Sequence, residues 1–178
     1  KVDALAIDPL LAVKWTFVGV LVALVAIAFI EMTHGVRAQL ERRVSSLGMR
    51  MFFGGLAVVA LWQLVGSSEY LGLSTPLLAE AFSEPSSWYA FALKLVFTAV
   101  TLGAGYLGGE VTPLFVIGAT LGSALAGPLG LPLALTAGVC MAAMFAAASN
   151  TPLALSIMAV ELLGANALHA QYYDDPGL

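Results

Sequence analysis

G-Y-L-G-G-E-V-T-P-L-F, residues 105 to 115, sets a carboxylate, Glu110, between a glycine run and the start of an apolar helix. What that carboxylate can do depends on the solvent around it. The 178 residues are 60% hydrophobic and only 10% charged, with a mean hydropathy of +0.95. A soluble core of this length would have almost no polar surface left to cover it, so the composition predicts an all-α, polytopic membrane protein. The net charge of −4 says little about partners, because in such a protein the placement of charge matters more than its sum. No feature calls for a nucleic-acid partner or a cofactor. Cys140, the single cysteine, sits in an apolar segment and reads as packing. His34 and His169 have no spaced Cys or carboxylate neighbours, so no metal site is expected.

Working outward, the first long apolar segment runs from about Pro9 to Ile30, close to the ~20 residues needed to cross a bilayer core. Its helix is expected to continue to about residue 45. Lys14, near its start, can snorkel to the interface. After it comes E-M-T-H-G-V-R-A-Q-L-E-R-R, and Arg37, Arg42, Arg43 and Arg50 put four of the seven Lys and Arg residues in this connector. The positive-inside rule therefore makes it cytoplasmic. Further helices are expected at about 51–65, 75–82 and 88–102. The second of these is short and amphipathic, with Glu80 and Glu84 on its wet side, and the third opens on an interfacial aromatic pair, Trp88 and Tyr89.

From Leu102 to Gly164 the chain is apolar almost throughout, yet Gly and Pro divide it into helices expected at about 113–126, 132–148 and 152–163, before a polar tail at 165–178. Several are too short to span alone. Irregular backbone at membrane depth is tolerated only where protein buries it or a water-filled cavity meets it, and broken helices of this kind present their ends to a substrate. Thr-Pro-Leu recurs at Thr75, Thr112 and Thr151, each read as an N-cap threonine followed by proline in the first helical position.

A helix N-terminus offers unpaired N–H groups and the positive end of a dipole, which favour an anion. The start preceded by G-A-G-Y-L-G-G-E-V is the one where glycines leave the backbone accessible and permit positive φ. The amides of Glu110 and Val111, the Thr112 cap and the open approach at Gly108 and Gly109 thus form a candidate anion cradle. Lys94, Glu110 and Glu161 are the only formally charged side chains between Pro85 and Tyr173. A carboxyl withdrawn from water beside an anion favours its protonated form, so Glu110 can couple proton and anion movement; the alternative is a glutamate that braces the loop. Lys94 either lends positive potential to an anion vestibule or pairs with a buried acid. Glu161, at a helix end, is expected to bond backbone or an interface partner.

At these residues G-G-E-V-T-P-L-F-V-I-G-A-T-L-G resembles the G-x-F-x-P region of the CLC anion channels and transporters, and A-A-A-S-N-T-P-L-A-L-S-I-M-A-V-E-L-L-G is similar to that family's penultimate core helices. The resemblance covers nearly the whole chain, residues 1–178 forming a partial CLC-type transmembrane domain of tilted, broken helices. It implies that Pro9 to Ser45 opens the second inverted repeat. Glu110 and Val111 stand where chloride-handling members have bulky apolar residues, and Thr112 where alanine is usual. That pattern is similar to the fluoride/proton antiporter branch. The resemblance implies fluoride and protons as the transported partners, with Glu110 as proton carrier, a two-fold homodimer in a lipid bilayer with one pathway per subunit, and fluoride export from a bacterial inner membrane.

Parts of the family pattern are missing. No stretch resembles G-S-G-I-P or G-R-E-G-P, and the polar tail holding Tyr172 and Tyr173 resembles no last pore helix. The opening K-V-D-A-L-A-I-D-P also reads as part of something longer. The chain is therefore expected to supply half of each pathway. The same fold carrying chloride, as channel or Cl⁻/H⁺ exchanger, is the alternative, and a truncated non-conducting membrane protein is the next. Enzymatic activity is not expected, since Ser149, Ser156 and His169 form no catalytic pattern.

Overall fold

The computed structural model describes residues 9–159 and 161, and what it describes is all-helical. Helix α1 spans Pro9–Arg43, α2 Leu47–Val65, α3 Thr75–Ser83, α4 Ala90–Gly103, α5 Val111–Leu129 and α6 Leu133–Ser149. A further helical run occupies residues 152–159. The tail, with His169, Tyr172 and Tyr173, lies outside the described residues.

Three helices, α1, α2 and α5, are long and apolar enough to cross a membrane, and α4 and α6 are shorter apolar helices. From Pro9 to Ile30 helix α1 is apolar on nearly every side. Val18, Val22, Ala26 and Phe29 face the protein, whereas Leu10, Val13, Phe17, Val20, Leu24 and Ile27 are exposed on the other side. A helix with no polar face suits lipid or the interior of a larger protein. It ends with Arg42 and Arg43 in its last turn, where cations complement the helix dipole. After three intervening residues α2 begins, four residues earlier than expected. Ser46 is its N-cap, so Arg50 lies in its first turns and donates to Glu41 Oε1 (2.9 Å), which also accepts from Arg37 (3.1 Å). These two contacts tie the α1–α2 corner.

The interior is built around α5, which packs most extensively on α6 and also meets α1, α3 and α4. The closeness of α5 and α6 has a cause in the G-A-T-L-G stretch at 118–122. A Cβ on Gly118 would lie 2.5 Å from the Cys140 carbonyl oxygen, and one on Gly122 would lie 2.5 Å from that of Thr136. Small residues at i and i+4 let two backbones approach this closely, which in a membrane replaces the hydrophobic drive with van der Waals contact. Cys140 and Met144 of α6 then close a core with Leu114, Ile117 and Leu121 of α5, Leu95 of α4 and the buried face of α1. A second cluster, Tyr70, Leu77, Ala90, Phe97 and Val116, seats α3 and the loop before it. Glu80 and Glu84 stay exposed while Leu77 and Ala81 are buried, the amphipathic split expected of α3.

Helix α5 runs beyond the expected end at 126, through Pro128. Proline is tolerated there because the helix stops at once. Gly130, in the left-handed region at φ 61°, donates to Gly127 O, and Leu131 donates to Ala126 O, the paired bonds of a Schellman close.

Candidate functional site

The loop 104–110 hangs between the end of α4 and the start of α5. Gly105 has φ +98° and turns the chain out of α4. Gly108 and Gly109 do not have positive φ, and a side chain on either would meet nothing within 4 Å. Their contribution is open approach, and the conformational freedom expected of them belongs to Gly105. Tyr106 anchors the loop by donating to Met51 O (2.9 Å), reaching over Gly55 of α2, whose missing side chain leaves room for the phenol.

Helix α5 begins at Val111 with Glu110 as N-cap residue, so Thr112 is the second helical residue and Pro113 the third. The expected threonine cap is not formed, because the helix starts one residue before it. The three Thr-Pro-Leu starts in fact sit in three registers. In α3 the N-cap is Ser74, with Thr75 and Pro76 already helical, and only Thr151 precedes its helical run directly. The first intrahelical bond of α5 runs from Leu114 N to Glu110 O (3.2 Å), and Pro113 has no N–H. The amides of Glu110, Val111 and Thr112 are left without a partner among the described residues, as is the Thr112 hydroxyl. They lie at the positive end of a 19-residue helix.

Glu110 is exposed and its side chain makes no capping hydrogen bond. The expected burial of this carboxylate is not made by the described residues: apolar segments flank it in sequence, but the loop carries it to the rim of the fold. Pro113, immediately inside, is buried and Thr112 half-buried.

A cavity of about 400 Å³ opens beside this helix start, lined in part by Gly108, Gly109, Pro113, Thr98 and Lys94. Lys94 is 1% exposed. Of its two expected roles, pairing with an acid is not seen, since no carboxylate lies at ion-pair distance among the described residues. Instead its ammonium donates to Gly72 O (2.6 Å), Ser74 Oγ (2.8 Å) and Tyr70 O (3.2 Å). The turn that supplies these oxygens is strained: Gly72 has φ +60° and Ser74, unusually for a residue with a side chain, has φ +54°. Sequence reading missed this turn. Gly72 signalled a bend, but nothing in the pattern linked it to a lysine 22 residues further on. Glu161, at the far end of the described chain, is exposed.

These features can be set beside known proteins. The voltage gated chloride channel family profile matches residues 2–171. The chain belongs to the voltage-gated chloride channel family. Within that family, a chloride/fluoride channel protein of Pseudomonas syringae pv. tomato (strain ATCC BAA-871 / DC3000) is 43% identical over 152 residues, covering 82% of this chain and 34% of that protein. The crystal structure of a CLC-type fluoride/proton antiporter superposes with a TM-score of 0.82 at 34% identity, over 90% of this chain and 40% of that one. The chain thus spans well under half the length of the family members it matches. The all-helical fold with broken inner helices is the family's.

Proposed function

We propose that this voltage-gated chloride channel family chain forms half of the pathway of a proton-coupled fluoride exporter. The observation that carries the reading is the start of α5, where the free amides of Glu110, Val111 and Thr112 stand beside a carboxylate and open through Gly108 and Gly109 onto a cavity. Backbone amides hold a small anion without needing a cation that would trap it. Glu110, whose own backbone amide is one of these three, takes up a proton as fluoride leaves and gives it up on the opposite side, so that one ion's movement requires the other's. The Thr112 hydroxyl, with no partner of its own, is free to donate to the anion. Lys94 adds positive potential to the cavity that leads there. Similarity to the CLC-type fluoride/proton antiporter supports the choice of fluoride and protons. The complete assembly is a homodimer in a bacterial inner membrane, each subunit with its own pathway, and rim residues such as Glu110 are covered by the remainder of the subunit.

The test is anion efflux from proteoliposomes, recorded with fluoride and pH electrodes together, for the complete gene product carrying this sequence and for this chain alone. Fluoride leaving as protons enter, from the complete protein only, is the expected outcome. Chloride moving as readily as fluoride without proton counterflux would instead assign the same fold to a chloride channel. Flux from this chain alone would refute the half-pathway account.

A further inference from the structure

The Lys94 ammonium presents a contradiction that the anion cradle by itself does not resolve. A lysine that is 1% exposed inside an apolar fold carries a large desolvation cost, ordinarily met by a carboxylate. Among the described residues it is met by neutral oxygens alone: two backbone carbonyls, of Tyr70 and Gly72, and the Ser74 hydroxyl. An ammonium has three protons, and all three are spent. Two consequences follow. Lys94 has no donor left to ligate an anion directly, and its charge is solvated by dipoles without being cancelled.

The position of that charge is specific. Lys94 and the 70–73 turn line the same cavity as Gly108, Gly109 and Pro113, so the cavity has a fixed cation on one wall and the positive end of α5 on another. The hydroxyls that line it between these walls are turned to backbone: Thr98 donates to Lys94 O (2.8 Å) and Thr101 to Phe97 O (2.7 Å). Two positive features on one small cavity raise each other's energy unless a negative charge comes between them. A neutral amide side chain, with two N–H protons, could hold two of these three oxygens without the cost of burying a charge.

We infer that Lys94 is a positioning residue for the anion: held off from contact by the Tyr70–Ser74 turn, its uncancelled charge draws a small monovalent anion into the cavity and toward the α5 amides. The inference rests on the anion-transport reading of that site and deepens it. Lys94 in this role sets how much anion is needed to load the pathway, while Glu110 sets what happens to the proton. The strained turn, with Ser74 in the left-handed region, serves to keep the ammonium from closing on the anion and trapping it.

The experiment uses the complete gene product in proteoliposomes. It measures the half-saturating fluoride concentration and how that concentration changes with ionic strength, set by N-methylglucamine gluconate, whose ions are too large to enter. Lys94→Met raises the half-saturating concentration about tenfold and flattens its dependence on ionic strength, because the field that bulk ions screen along the anion's approach is gone, while the proton-to-fluoride ratio is kept. Lys94→Arg restores most of the ionic-strength dependence. A Lys94→Met protein with a half-saturating concentration within about twofold of wild type, or with the wild-type salt dependence, overturns the inference. Should Lys94→Met not assemble, Ser74→Gly decides: it keeps the charge, suits the positive φ and removes one acceptor, so the full salt dependence persists, and its loss refutes an electrostatic role. Wild-type protein that moves chloride but not fluoride strikes the fluoride reading alone, and the same comparison made with chloride then judges Lys94.

Discussion

Helices α1 and α2 and helices α5 and α6 solve the same problem, survival in an apolar solvent, in opposite ways. The outer pair is long, apolar and mostly exposed, with bulky Leu, Val, Phe and Ile side chains turned outward. The inner pair is rich in Gly, Ala, Thr and Ser, largely buried along α5, and held backbone to backbone at Gly118 and Gly122. Lipid is as good a neighbour for leucine as protein is, so bulk on α1 and α2 gives little specificity. Close approach of small residues does give it, because only one register brings the two glycines against Thr136 and Cys140. The inner pair also satisfies its buried hydroxyls internally. Ser123 donates to Glu84 O (3.0 Å) and accepts from Ser86 N (2.9 Å), pinning the chain after α3 to the middle of α5. Rigid seating of α5 holds its N-terminus in place while its first amides stay without partners among the described residues.

The largest effect that would break this contrast is expected from Gly122→Leu. A side chain there must enter the α6 backbone, which cannot yield as a flexible side chain would, and a loss of about 3 kcal/mol or more is expected. The check is the yield of monodisperse protein in detergent and its thermal midpoint, and a wild-type midpoint would show that α5 and α6 are not locked at that glycine. Next comes Glu110→Gln, which tests function where Gly122 tests fold. Proton flux coupled to fluoride should fall by at least about tenfold with the thermal midpoint kept, since the side chain makes no structural bond. Unaltered coupling would remove Glu110 from the proton path.

A smaller effect sharpens the account of the loop between the two regions. Tyr106→Phe removes the hydrogen bond to Met51 O and should cost about 1 kcal/mol, with faster amide exchange confined to residues near 104–110. Exchange that speeds up across α5 as well would mean that the loop and the helix open together. The smallest effect is expected on the outer face, where Leu24→Ala should change the midpoint by no more than about 0.5 kcal/mol equivalent. A loss several times larger would show that Leu24 meets protein in the complete assembly.

These differences explain which parts could be read in advance. The long apolar run after Pro9 and the arginines of the first connector announce a spanning helix and a basic turn, because hydropathy and charge are properties of the residues themselves. The start of α2 lies earlier than hydropathy alone suggests, because Arg50 reads as connector by its charge, whereas that charge is carried back to Glu41 by a helix that has already begun. The place of Thr112 before proline suggests a cap, but capping depends on where the helix actually starts, and Glu110 takes that position. Both differences lie at helix ends, where one residue of register changes the chemistry.

Sequence alone determined that this chain lives in a bilayer, that its inner helices are broken, and that a glycine loop delivers Glu110 to a helix N-terminus. Those follow from composition and local backbone preference, which are fixed by neighbours in the chain. Only the tertiary structure decided that Gly118 and Gly122 seat α5 on α6, that Gly105 and not Gly108 or Gly109 carries the positive φ, and that Lys94 spends its three protons on a turn 20 to 24 residues away in sequence. Such pairings arise where helices cross, and no local pattern records which distant carbonyl will come to lie opposite a buried charge.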